Sequence, residues 1–267
     1  MNQNLKLVAT DMDGTFLHSD NNYDEERFKR ILSHLNEVGC NFVVASGNQY
    51  YQLRDFFPGY YDELSFVAEN GAFVKDHSKL IFSAGISKST VDFVIDFCSD
   101  YSDVQLLLCG LDSAYIQRGS AQKFFDLMAI YCHRLDWVDN LKNVDDQFLK
   151  FTAIVPDEKT QFYYDLFNAH LKGEIVATSS GHGSIDLILP GCHKASGLKR
   201  LVERWNIKPE ECVAFGDGGN DIEMLKYCGL SYAVDNAPND VKAAAKSSCP
   251  SNNDDGVLKT LEKLFQL

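Results

Sequence analysis

The sequence predicts an α/β fold: a doubly wound, mostly parallel core sheet of the Rossmann-like kind, interrupted by an inserted α+β unit. Three observations predict it. At both ends of the chain, short apolar runs alternate with amphipathic stretches, the pattern of strands joined by helical crossovers. In the middle, apolar runs follow one another with no helix between them, the mark of an antiparallel or mixed sheet. The chain has 267 residues, 45% of them hydrophobic, which is enough for one large domain or two modest ones.

The elements follow in order. Leu5-Lys-Leu-Val-Ala-Thr10 reads as a short buried strand. Residues 24–38 carry Phe28, Ile31, Leu32, Leu35 and Val38 at helical spacing, and Gly39 closes the helix. Asn41–Ala45 is the next strand, and a further one covers 65–68. After residue 190 the same grammar returns. Helices are expected over 195–206, 219–227, 238–246 and 255–266, with strands at 212–215 and 230–234. Between these ends, helices are expected over 87–99, 120–131 and 158–171. Strands are expected at 104–109, 113–117, 148–155, 174–178 and 184–189, with the helices on one face of their sheet. The expected division is 1–82 and 191–267 for the core, and 83–190 for the insert.

Composition excludes some functions. Thirty-eight acidic residues against 25 basic ones give a net charge of −13. That balance argues against nucleic acid and against an anionic membrane surface, both of which need a basic face. No segment is long and apolar enough to span a bilayer. The opening Met1-Asn2-Gln3-Asn4 lacks the features of a signal peptide. The eight cysteines are scattered, with no Cys-x-x-Cys pair to signal zinc or redox chemistry. A cytoplasmic protein with no obligate protein partner is expected.

Four motifs carry chemistry. Asp11-Met12-Asp13-Gly14-Thr15 directly follows the first strand, at a carboxyl end where open α/β sheets bind ligands. Two carboxylates two residues apart in extended chain point the same way and repel unless a cation or a proton lies between them. One can act as a nucleophile and the other as a general acid/base, while Gly14 and Thr15 offer backbone N–H groups to an anion. The plain alternative is an acidic turn. Ser46-Gly47-Asn48 follows the second strand and carries donors suited to phosphate oxygens; the alternative is an ordinary helix cap. Gly216-Asp217-Gly218-Gly219-Asn220-Asp221 follows the strand ending at Phe215. It lacks the last glycine of a dinucleotide loop and instead offers hard oxygen ligands for magnesium. Lys194 stands at the start of a helix where the insert returns to the core; alone it would read as a surface charge. In a parallel sheet the ends of these strands converge on one edge.

These four motifs, in this order, resemble those of the haloacid dehalogenase-like superfamily. The large insert between the second and third resembles that of its Cof-type phosphatases. The runs Val44–Leu53, Phe66–Ala72 and Ile185–Ile188 are similar to the sugar-phosphatase branch. The resemblance implies that Asp11 attacks phosphorus to form an aspartyl-phosphate. Asp13 would protonate the leaving oxygen and then activate water. Mg2+ would be held by Asp11, the backbone carbonyl of Asp13, and Asp217, with Asp221 as an outer partner. Ser46, Gly47, Asn48, Lys194 and Asn220 would hold the phosphate, and the insert would be a mobile cap that reads the organic part of the substrate. Asn48 departs from the arginine that many Cof-type members carry there, replacing a charged fork with a neutral amide.

Within the insert, Asp186 is a candidate for sugar hydroxyls, though an alternating strand with one solvated side would explain it equally. His182, between two glycines, reads as a loop residue. Glu69 and Asn70 follow the strand at 65–68 and are placed at the border of the cleft. Phe93, Phe97, Phe124, Phe125, Tyr163 and Phe167 lie at helical spacing and read as core. The expected function is a Mg-dependent phosphatase for small phosphomonoesters, sugar phosphates foremost. The alternatives are a phosphotransferase or phosphomutase using the same nucleophile, and a non-catalytic metabolite-binding protein.

Overall fold

The computed structural model describes residues 4–171, 173–181 and 183–267. In chain order the elements are β1 (Leu7–Thr10), α1 (Glu25–Glu37), β2 (Asn41–Ala45), α2 (Tyr50–Asp55), β3 (Ser65–Ala68), β4 (Phe73–Asp76), β5 (Lys79–Ser83), α3 (Lys88–Ser99), β6 (Gln105–Gly110), β7 (Ala114–Gln117), α4 (Gln122–Tyr131), β8 (Leu135–Val138), β9 (Phe148–Ile154), α5 (Thr160–His170), β10 (Val176–Gly181), β11 (Ser184–Ile188), α6 (Lys194–Arg204), β12 (Cys212–Gly216), α7 (Ile222–Tyr227), β13 (Leu230–Val234), α8 (Asn239–Ala244), β14 (Ser247–Cys249) and α9 (Gly256–Phe265). They form two compact units. One comprises the chain up to Gly47, Gly59–Ile81 and His193–Leu267; the other comprises Asn48–Pro58 and Phe82–Cys192.

The first unit is built on an eight-stranded sheet in the order β14-β13-β12-β1-β2-β3-β4-β5. The strands from β14 to β3 run parallel, and β4 lies antiparallel to β3. Every residue of β1 is buried, as is all of β12, which is why both read as unbroken apolar runs rather than alternating ones. Because β1, β2, β3, β12 and β13 are parallel, their carboxyl ends share one edge. That edge receives Asp11, Ser46, Glu69, Asp217 and Asp235. Helix α1 is capped by Asp24, whose side chain accepts from the Arg27 N–H at 3.0 Å. It buries Phe28, Ile31, Leu32 and Leu35, while Val38, at the helix end, is exposed.

The second unit holds a six-stranded sheet, order β10-β11-β9-β6-β7-β8. Its helices occupy both faces rather than the one expected. Val91, Val94 and Ile95 of α3 and Tyr163 and Phe167 of α5 pack with Leu108, Phe151, Ala153, Ile185 and Leu187. Phe124 and Met128 of α4 pack instead with Leu107, Cys109, Ala114 and Ile116. Leu107 and Leu108 are neighbours on one strand, so these clusters lie on opposite faces. The insert aromatics largely serve this core: Phe124, Tyr163 and Phe167 are buried and Phe125 stacks on Trp137, whereas Phe93 is exposed. The short helix α2 belongs to this unit. The Gln49 side chain both donates to the Arg134 carbonyl at 2.9 Å and accepts from its N–H at 3.0 Å. The Arg134 guanidinium lies 3.6 Å from the centre of the Tyr51 ring. Among the described residues, no helix is long and apolar enough to cross a membrane.

Candidate active site

Strand β1 delivers Asp11 at the middle of the sheet, and the Asp11 N–H donates to the Phe215 carbonyl at 3.1 Å. This ties the first motif to the end of β12, from which Asp217 follows. After Asp11 the chain coils through Met12–Phe16, closed by the Leu17 N–H on the Met12 carbonyl at 2.9 Å. Gly14 sits in the left-handed region at φ 72°, and a Cβ there would come within 2.6 Å of Asp217 Oδ2. Glycine is thus required both by the turn and by the approach of the carboxylate. Thr15 Oγ1 donates to Asp217 Oδ1 at 2.6 Å, holding that carboxylate against the loop.

Lys194 is the first residue of α6. The preceding His193 caps the helix through Nδ1, which accepts from the Ser196 N–H at 3.2 Å. The Lys194 side chain is 1% exposed. Its ammonium donates to Asp11 Oδ1 at 2.5 Å and to Asp221 Oδ1 at 2.7 Å. Asp221 is fully buried, and its second oxygen accepts from the N–H groups of Asp217 (3.0 Å) and Gly218 (2.9 Å). Both oxygens of Asp221 are therefore committed to holding the lysine and the 216–221 loop. A Cβ on Gly216 would meet the Asp221 side chain at 2.6 Å, which explains the glycine before Asp217.

Carboxylate oxygens of Asp11, Asp217 and Asp221 lie within 4.8 Å of one another. Crowding shows in their charge states. Burial, with Asp217 and Asp13 adding to it, outweighs Lys194 and pushes Asp11 up to about 7. Burial likewise raises Asp221 to about 6, and Asp217 is raised too, again chiefly by burial. Burial works against the Lys194 charge, but Asp11 and Asp221 more than offset it and hold its pKa above the ordinary lysine value. One ammonium does not neutralise three carboxylates, so a further positive charge is favoured here. The donors are hard oxygens, which fit Mg2+. Asp13, by contrast, is exposed and lies outside this cluster, yet its charge still contributes to the upward shift of Asp11.

A second group of side chains adjoins the sheet edge in the same unit. Ser46, 2% exposed, donates its N–H to the Val67 carbonyl at 2.9 Å, and its own carbonyl accepts from the Asn70 N–H at 3.1 Å. Asn220 Nδ2 donates to Asn70 Oδ1 at 3.2 Å. The loop Ser46-Gly47-Asn48 straddles the division of the chain: Gly47 ends a segment of the first unit and Asn48 begins one of the second. Asp186 lies in the second unit on β11. Both its oxygens are 3.3 Å from Lys150 Nζ, and Oδ1 accepts from Thr152 Oγ1 at 2.7 Å. His182 lies outside the described residues.

Sequence reasoning missed Asn236, which follows β13 and donates from Nδ2 to the Gly14 carbonyl at 2.7 Å. It passed over Lys150 as well. The signal for Asn236 was present, since it stands at the carboxyl end of a strand already identified.

The profile of the haloacid dehalogenase-like hydrolases matches residues 8–261. The chain belongs to that family. A curated Escherichia coli K12 relative, 5-amino-6-(5-phospho-D-ribitylamino)uracil phosphatase YbjI, is 42% identical over 98% of this chain and 97% of its own length. A Bacillus subtilis protein carrying the same activity in its name, YitU, is 24% identical over 98% of both chains. The crystal structure of SMU.1108c from Streptococcus mutans superposes with a TM-score of 0.93 at 37% identity, covering 98% of this chain and all of the other.

Proposed function

We propose that this chain is a Mg2+-dependent phosphatase that hydrolyses a small phosphomonoester through an aspartyl-phosphate on Asp11. The observation that carries this reading is the buried Lys194 bridging Asp11 and Asp221, with Asp217 inside the same cluster. A carboxylate attacks a phosphate dianion only where positive charge offsets the repulsion between them.

Asp11 supplies an oxygen that forms the new P–O bond while the ester oxygen departs. Asp13 gives that leaving oxygen its proton, and its exposure suits proton exchange with solvent. Water then attacks phosphorus as Asp13 takes up its proton, and the P–O bond to Asp11 breaks, releasing phosphate and regenerating the carboxylate. Ser46, Gly47, Lys194 and Asn220 hold the phosphoryl oxygens, and Asn48 is a further donor. Asp11, Asp217 and the Asp13 carbonyl are the groups that would hold Mg2+, with Asp221 fixing Lys194 and the loop that carries Asp217. When bound, the ion supplies positive charge that offsets charge on the transferring group and favours the ionised form of Asp11. The proposed division of labour gives catalysis to residues 1–82 and 191–267. Residues 83–190 form a cap that selects the substrate, with Asp186 as a reader of hydroxyl groups.

The substrate class is a phosphorylated sugar or sugar alcohol. The activity in the names of YbjI and YitU makes 5-amino-6-(5-phospho-D-ribitylamino)uracil the first compound to test. The test is phosphate release from that compound and from a panel of sugar phosphates and nucleotides, with Mg2+ or excess chelator, beside Asp11→Asn. Release that needs the metal and is lost in the variant supports the reading. Release in chelator, or by Asp11→Asn, contradicts it.

A further inference from the structure

The loop after β3 holds a left-handed backbone for three residues in succession. Glu69 has φ 51°, Asn70 φ 52° and Gly71 φ 85°. Glycine accepts the left-handed region and asparagine tolerates it, but a glutamate there is uncommon. Such strain persists only where the surroundings over-determine it.

Here the surroundings are parts of the site. The Asn70 N–H donates to the Ser46 carbonyl at 3.1 Å. Its side-chain oxygen accepts from Asn220 Nδ2 at 3.2 Å. A Cβ on Gly47 would stand 3.1 Å from the Asn70 amide, so the Ser46-Gly47 turn lies directly against that side chain. A Cβ on Gly71 would meet the His193 carbonyl at 2.4 Å, at the start of the helix that carries Lys194. Asn70 itself is 4% exposed. One loop therefore touches the segments bearing Ser46, Lys194 and Asn220, which come from three distant parts of the sequence.

We propose that Asn70 is a positioning residue for the phosphate cradle, setting Asn220 and the Ser46 loop at a fixed separation through its side chain and backbone. This rests on the reading of Ser46 and Asn220 as phosphate-holding groups. A transferring phosphoryl group spreads charge over its equatorial oxygens, and donors aimed at them help only when held in place beforehand. One amide hydrogen of Asn220 goes to Asn70, which fixes its rotamer and leaves the other for a phosphate oxygen. The left-handed backbone at 69–71 is what brings the Asn70 N–H onto Ser46 and its side chain onto Asn220 at once.

The experiment is a double-mutant cycle on the full chain, read as KM, kcat and the inhibition constant of inorganic phosphate, with melting temperature as the fold control. Asn70→Gly keeps the backbone conformation and removes the side chain. Its melting temperature falls by only a few degrees, so the fold persists, while KM and the phosphate inhibition constant rise together by about 10-fold and kcat changes much less. Asn220→Ala raises the same two constants. In its background, Asn70→Gly costs less than about 2-fold, because the pair acts as a unit. Asn70→Asp keeps the acceptor; its added charge weakens phosphate binding, but Asn220→Ala remains costly in it. An Asn70→Gly variant with unchanged phosphate inhibition, or costs that multiply independently, overturns the proposal. Silent Asn220→Ala removes Asn220 from the cradle and defeats its reading as a phosphate-holding group together with this proposal, whereas costly but independent effects defeat this one alone.

Discussion

Replacing Lys194 by methionine keeps the aliphatic stem and removes the charge, so it isolates what the ammonium does. The lysine is 1% exposed and donates to Asp11 at 2.5 Å and Asp221 at 2.7 Å. Without it, two buried carboxylates face each other with no cation between them. Breaking a buried ion pair by removing one partner costs about 3–5 kcal/mol. At ~2–4 °C per kcal/mol for a chain of this size, the melting temperature falls by roughly 6–20 °C at pH 8 in chelator. The loss depends on pH in a definite direction. Asp11 and Asp221 hold their protons more tightly in the fold, near 7 and 6, than the ordinary 3.8 of an unfolded chain. Protonated, they contribute stability that is fully present below 3.8 and is lost as pH rises through the folded values. Removing Lys194 raises both values further, so the penalty shrinks toward pH 5. Urea unfolding of parent and variant at pH 5 and pH 8, without metal, reads this directly. Lys194→Met combined with Asp221→Asn recovers part of the loss at pH 8, since one of the uncompensated charges is gone. A penalty below about 1 kcal/mol, or one equal at both pH values, would show that the ammonium does not hold these carboxylates together. Turnover in Lys194→Met falls by roughly 10²–10³-fold, as expected for losing one charged stabiliser of the transferring group.

Two further outcomes follow from the same cluster. The parent protein in chelator loses melting temperature between pH 5 and pH 8, because Asp11, Asp217 and Asp221 are all raised and ionise against their burial. Added Mg2+ restores it at pH 8 and does little at pH 5; an equal rise at both would contradict the assignment. Gly14→Ala places a Cβ 2.6 Å from Asp217 Oδ2 on a residue at φ 72°. It destabilises the fold by about 1–3 kcal/mol and raises the Mg2+ concentration for half-maximal rate by about 10-fold, and metal dependence identical to the parent would count against Asp217 as a ligand.

Much of this was legible in the residues, and the gaps have physical causes. Asn41–Ala45 and Leu230–Val234 were read to the residue, because each is a short, largely buried run with loop residues at both ends. The β4–β5 segment was missed because Lys75, Asp76, His77 and Ser78 interrupt its pattern at the turn. Strand β14 is Ser-Ser-Cys at the sheet edge, with two exposed serines and a single buried cysteine, too little to show a pattern. Helix α2 is six residues long, too short to show a period, and owes its place to Gln49 and Tyr51 on Arg134. The helix on the second face of the insert sheet was foreshadowed by Leu106-Leu-Leu-Cys109, where consecutive apolar residues require cover on both sides. At the site, Asp11, Lys194, Asp217 and Asp221 come together from three separate segments of sequence. That meeting rested on strand ends sharing one edge, and the parallel register of β1 with β12 supplies it. The commitment of both Asp221 oxygens and the Asn70–Asn220 bridge depend on side-chain geometry that no spacing encodes.

The proposed mechanism requires that Asp11 become phosphorylated. It is tested most directly by mixing enzyme and substrate with Mg2+, quenching in acid within a turnover, and mapping the digested protein by mass. A phosphoryl group is expected on the peptide bearing Asp11, absent without metal and absent from Asp11→Asn. Steady turnover with no phosphorylated peptide at any quench time, or a phosphoryl group on another residue, would contradict it.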